Sequence, residues 1–137
     1  MEEFEKLDLI RKNNVDIEDL LLDPNNPRFS RHTEDLIPED KIADPKIQKD
    51  TFERMVRNRE FAINELETSI KTRGFAPVDN IFIKSIKGTK KYLVVEGNRR
   101  VTAVKLLLMK HELGKKKDIL PENILNSMKR IDCLDHN

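Results

Sequence analysis

The sequence predicts one domain of the α+β class, and three patterns predict it. An apolar run, Tyr92-Leu93-Val94-Val95, gives way after Gly97 to Val101, Val104, Leu107 and Leu108 at helical spacing, so a strand hands over to a helix. Ile81-Phe82-Ile83 and Lys91–Glu96 flank Lys87-Gly88-Thr89, the pattern of two strands joined by a tight turn. Ile63, Leu66 and Ile70 share one helical face within about 60–73, and Gly74 follows where a left-handed residue ends a helix. At 137 residues the chain is long enough for one domain with a real core and too short for two.

The remaining elements follow in order. Phe4, Leu7 and Ile10 stand three apart among charges and predict an amphipathic helix over 2–12, ended by Asn13-Asn14. Val15-Asp16-Ile17 alternates and Leu20-Leu21-Leu22 follows, so 15–22 reads as a short strand and its exit. Asp23-Pro24-Asn25-Asn26-Pro27-Arg28-Phe29 is too rich in Pro and Asn for a regular element and predicts an ordered turn with Arg28 at its exit. Residues 30–46 are polar, contain Pro38 and Pro45, and read as a mobile insertion or lid within a polar insertion of about 30–60. Asp50-Thr51-Phe52-Glu53 resembles a capping box that opens a helix through about Asn58. Phe75-Ala76-Pro77 breaks the chain before the hairpin. A helix covers 99–112, Pro121 opens another to about 129, and Ile131-Asp132-Cys133-Leu134 reads as a strand. A fresh strand so near residue 137 suggests the N-terminal part of a longer protein.

Charged and hydrophobic residues each make up 37%, which marks a soluble, highly charged chain. No apolar stretch approaches the roughly 20 residues of a membrane span. The acidic start Met1-Glu2-Glu3-Phe4-Glu5 is unlike a signal peptide, and the lone Cys133 permits no internal disulfide. Both point to the cytoplasm. His32, His111, His136 and Cys133 are scattered without metal-ligand spacing. The net charge of +1 gives no overall basic field, so nucleic-acid binding would need a local patch.

The segment Glu96-Gly97-Asn98-Arg99-Arg100 carries the most chemistry. Arg99 and Arg100 open a helix, where unpaired N–H groups and the helix dipole already present positive charge. An anion on the loop would collect the N–H groups and both guanidinium forks, and Gly97 would allow close approach. The alternative is that the arginines pair with acidic side chains elsewhere or lie in solvent. Glu96, at the strand's end, suits a metal, a water or a ribose hydroxyl; the stronger expectation is that it pairs with Arg99 or Arg100 and orders the loop. Asp79 and Asn80 suit a base or ribose contact, or simply cap a turn. Lys84, Lys87, Lys90 and Lys91 read as a solvated hairpin edge more than a DNA contact, as does Lys115-Lys116-Lys117. Phe61 and Phe75 read as core.

Leu66-Glu67-Thr68-Ser69-Ile70-Lys71-Thr72-Arg73-Gly74-Phe75-Ala76-Pro77-Val78, then two strands, then Val95-Glu96-Gly97-Asn98-Arg99-Arg100-Val101-Thr102-Ala103 resembles the N-terminal domain of the ParB/sulfiredoxin superfamily. The family pattern is a helix ending in Ser-Ile and Gly, a Pro-led strand, a hairpin, and a Gly-Glu-Arg-Arg box opening a helix. Asn26-Pro27-Arg28 is similar to the segment that precedes this core in the family. The resemblance implies an α+β domain with a small mixed sheet, flanking helices and a phosphate loop at the start of the 99–112 helix. It implies a nucleoside triphosphate ligand, CTP or ATP, with Mg²⁺. Gly97, Arg99 and Arg100 would grip the phosphates with Asn98 in the loop, and Arg28 with Asn26 would approach from the turn. In the ParB branch nucleotide binding closes a homodimer around DNA, and here DNA would be engaged through regions outside these residues.

The sequence departs from the pattern. Asn98 replaces the box's Glu, which argues against hydrolysis, and also stands where sulfiredoxin has Cys. A nucleotide-switched binding module is therefore favoured over an enzyme of the same superfamily, such as a free-serine phosphotransferase or a nuclease.

Overall fold

The computed structural model describes residues 9–27, 29, 36–76 and 80–136. Among them, β1 (Leu9–Asp16), β2 (Leu20–Leu21), β3 (Phe82–Ser85), β4 (Tyr92–Glu96) and β5 (Arg130–His136) form one sheet in the order β1-β5-β3-β4-β2. It is mixed: β1–β5 and β3–β4 are antiparallel, whereas β3–β5 and β2–β4 are parallel. The helices α1 (Pro45–Arg57), α2 (Ile63–Arg73), α3 (Asn98–Leu113) and α4 (Glu122–Lys129) flank it. This is the α+β architecture expected from the alternation of strand and helix patterns.

The core is built on α3. Val101, Ala103, Val104, Leu106 and Leu107 are buried and join Ile83 and Val94 of the hairpin strands, Met55 of α1, Ile63 and Ile70 of α2, and Ile124 and Met128 of α4. Phe61 and Phe75 are core residues, as read from the sequence. A smaller cluster of Leu21, Ile42, Ile86 and Leu93 completes the packing.

Three elements differ from the sequence reading. Residues 9–12 are strand, not helix: Leu9 to Lys12 pair with His136 to Cys133, and the backbone ladder outweighs a weak three-residue period. Residues 1–8 of that expected helix lie outside the described residues. Asn13-Asn14 does not end a helix but makes a bulge between Lys12 and Val15. Asn14 has φ +58, which Asn tolerates, and its N–H donates to Asp132 Oδ1 at 2.9 Å.

The second difference is the start of α1. It begins at Pro45 rather than Asp50, because Asp44 accepts from Lys46 N–H and Pro45 fills the first helical position. Asp50 instead sits inside the helix, 3.9 Å from Arg54. Of the segment expected to be an insertion or lid, 36–46 are described; most of them are exposed, and two points anchor them: Ile42 is 4% exposed, and Asn25 holds Ile37 through both N–H and C=O at 2.7 and 2.9 Å.

The third difference is the helix expected over 60–73, which is a short 3₁₀ turn, Arg59–Phe61, followed by α2, with Ala62 at φ +51 between them. Gly74 ends α2 with a positive φ of +82, which favours the glycine there, although its ψ of 171 lies outside the left-handed helical well. Pro77, Val78 and Asp79 lie outside the described residues.

Candidate anion-binding cleft

β4 runs straight into α3 through one residue. Gly97 has φ +106, and a Cβ there would lie 2.5 Å from Cδ1 of Ile81, which is fully buried. Both facts require glycine. The Gly97 carbonyl accepts from Val101 N–H at 3.0 Å, so the N–H groups of Asn98, Arg99 and Arg100 form the open first turn of α3. Gly97, the N-cap, has no side chain to cap this end, and no acidic residue stands in its first turn. The positive end of a sixteen-residue helix therefore faces outward beside two arginines.

A cleft of about 440 Å³ lies in front of this turn. One wall is Val95, Glu96, Gly97, Asn98, Arg99 and Arg100; the other comes from Asp23, Asn26 and Pro27, with Phe61 and Asn80 completing the lining. The structure thus brings Asn26 to the 96–100 segment from far away in sequence. Arg28 lies outside the described residues, as do Asp79 and His32.

Each loop residue does a distinct job. Asn98 is 8% exposed. Its Nδ2 donates to the Val94 carbonyl at 3.0 Å, and its Oδ1 accepts from Asp23 N–H at 3.0 Å. Arg99 is half-buried and donates Nε–H to the Phe61 carbonyl, which anchors the guanidinium to the 59–61 turn. Arg100, also half-buried, lines the same cleft.

Glu96 is exposed at the rim. Among the described residues no ion pair joins it to Arg99 or Arg100, contrary to the pairing expected from sequence. Gly97 and Asn98 order the loop without it.

Two lining residues escaped the sequence reading. Phe61 was assigned only to the core, yet it also floors the cleft and meets Phe29 edge-on at 5.7 Å between ring centroids. Asp23 was read only as part of a turn. Its Oδ1 accepts from Asn25 N–H at 2.8 Å. Partial burial raises its pKa above the ordinary carboxylate value, opposed by that hydrogen bond and by the charge of Lys84. The Asp23-Pro-Asn signal marks a turn from sequence, but nothing local says which cavity the turn will face.

The other chemistry-bearing residues stand apart. Cys133 is buried, and burial together with Asp132 and Asp135 pushes its thiol up to about 12, so it stays protonated near neutrality. His111 accepts from Leu120 N–H at 3.0 Å through Nδ1, a helix-end contact. Lys91 is tied to Asp19 at 3.9 Å and to the Glu18 carbonyl at 3.4 Å. Among the described residues no group of three His, Cys, Asp or Glu is placed to hold a metal, and no helix is long and apolar enough to cross a membrane.

The model of the ParB N-terminal domain matches residues 29–113, well over half of the chain and including α1, α2, the hairpin, the Gly97 loop and α3. No curated protein and no solved structure matches. On the strength of the family match, this chain belongs to the ParB N-terminal domain family.

Proposed function

We propose that the domain is a nucleotide-binding module that holds the phosphates of a nucleoside triphosphate, CTP or ATP, in the cleft. The observation that carries this reading is the first turn of α3, entered through Gly97 and carrying Arg99 and Arg100, which opens into a cleft of about 440 Å³. Backbone donors, a helix dipole and guanidinium groups converge there, and all three favour a multiply charged anion. The size suits a small-molecule ligand. Asn26, Pro27, Asn80 and Val95 offer polar and apolar surface beyond the phosphates for a ribose or base.

Magnesium fits this arrangement as a companion of the nucleotide. Among the described residues, Asp23 and Glu96 are the carboxylates on the cleft. The phosphate oxygens and water would complete the shell, as is usual for this ion. When bound, Mg²⁺ would offset phosphate charge; the protein's part is to position and neutralise through Arg99, Arg100 and the first-turn N–H groups.

The output of such a module in a longer protein is a switch: a filled cleft favours one arrangement of the 23–27 turn, and with it homodimer formation or DNA engagement by other regions. Thermal denaturation with each of the four Mg-nucleoside triphosphates tests the ligand. A ligand at 100 times its Kd adds about 2.7 kcal/mol of apparent stability. Inorganic sulfate matching the best nucleotide would show a plain anion site instead.

One observation favours a second reading, a nucleotide-dependent enzyme. Glu96 is exposed at the cleft with no ion pair to the arginines, so its carboxylate is available as a base. Phosphate release separates the readings. The switch predicts turnover well below about 1 s⁻¹, the low end of ordinary enzymes. Faster turnover abolished by Glu96→Gln would establish the enzyme.

A further inference from the structure

We propose that Asn98 is the positioning residue that makes the two walls of the cleft act as one. The proposal rests on the nucleotide reading for its ligand, but the clasp itself stands on hydrogen bonds within the chain. One carboxamide bridges three segments: Nδ2 donates to Val94 O in β4, Oδ1 accepts from Asp23 N–H in the opposite turn, and the residue itself is the first of α3. The residue is 8% exposed, so water replaces neither bond freely.

The chemistry asks for this side chain. The site needs a donor toward Val94 and an acceptor toward Asp23 at once. An ionised carboxylate supplies no donor, and a hydroxyl reaches less far. A carboxylate would also place negative charge on the first turn of α3, weakening the pull on an anion. The neutral amide ties the walls together and leaves that pull intact.

Two kinds of ligand should therefore feel Asn98 differently. Sulfate, small enough to sit on the 97–100 turn alone, does not need the far wall. A triphosphate reaching toward Asn26 and Pro27 does. In the full chain, Asn98→Ala is expected to speed amide exchange at Asp23 by at least about tenfold, and to weaken Mg-ATP and Mg-CTP by about tenfold, the scale of one lost buried hydrogen bond. Sulfate affinity should stay within about twofold. Asn98→Asp should do the reverse: Asp23 stays protected because its acceptor remains, while sulfate weakens because the turn gains a negative charge.

Unchanged exchange at Asp23 in Asn98→Ala overturns the proposal, as does an equal loss of sulfate and triphosphate. If Asn98→Ala does not fold, Asn98→Asp decides, and an unprotected Asp23 in it rejects the clasp. If the wild-type chain binds neither nucleotide, the nucleotide reading has failed, and the exchange at Asp23 judges the clasp alone.

Discussion

The two walls of the cleft are held by different means. Glu96 to Arg100 are carried by β4 and α3, whose backbone ladders need no distant side chain, and Gly97 joins them with a positive φ. The 22–27 segment has no ladder beyond β2. Side-chain amides hold it: Gln48 bonds both the N–H and C=O of Leu22 at 2.9 Å, Asn98 takes Asp23 N–H, and Asn25 grips Ile37. One wall is therefore as stable as the fold, whereas the other depends on a few hydrogen bonds. A ligand that touches both can move the second wall without unfolding the first, which is what a switch requires.

The largest effect should come from breaking the rigid wall. Gly97→Ala forces a side chain into φ +106 against buried Ile81. We expect a loss of about 3 kcal/mol in denaturant unfolding, with ligand binding lost as well. A change below about 0.5 kcal/mol, the scale of a neutral surface substitution, would show that the loop relaxes freely.

Next is the amide-held wall. Gln48→Ala strands the Leu22 N–H and C=O and frees the Ile42 carbonyl, which Gln48 Nε2 also bonds at 3.0 Å. About 2 kcal/mol should be lost. Hydrogen exchange should rise first in 22–27 and leave α3 protected; a uniform rise would erase the difference between the walls.

The smallest effect concerns Asp23. Partial burial raises its folded pKa above the ordinary carboxylate value, so the folded state holds this proton more tightly than the unfolded chain. Its contribution therefore favours folding below the ordinary carboxylate pKa and is lost as pH rises through the raised folded one. Asp23→Asn keeps an acceptor for Asn25 N–H and removes the charge. It should melt slightly higher than wild type at neutral pH, the gain shrinking in acid. A lower melting temperature at pH 7 would mean that the carboxylate is needed where it stands.

The contrast also explains what was legible in the sequence. The rigid wall could be read because its signals are local: an apolar run, a glycine, and a helical period with arginines at its start. β3, β4, α3 and α4 were recognised on the same grounds. The amide-held wall was legible only as a turn, since Gln48 and Asn98 carry no sequence mark that they reach Leu22 and Asp23. Residues 9–12 were misread because a strand that pairs with β5, more than a hundred residues later, is decided by a partner that local periodicity cannot see. The start of α1 was missed for a different reason: Asp44-Pro45 is a good helix opening, and the Asp50-Thr51-Phe52-Glu53 pattern masked it.

The most direct test of the central claim is calorimetric titration of the chain with the Mg-nucleoside triphosphates, repeated on Arg99→Ala and Arg100→Ala. The account predicts saturable binding of at least one triphosphate, competed by pyrophosphate, and weakened by roughly 1–3 kcal/mol in each variant, the scale of a charge-assisted hydrogen bond. Arg99→Ala should also cost some stability because Arg99 bonds the Phe61 carbonyl, so unfolding of each variant is measured beside its affinity. No binding of any triphosphate, or equal affinity in wild type and both variants, would contradict it.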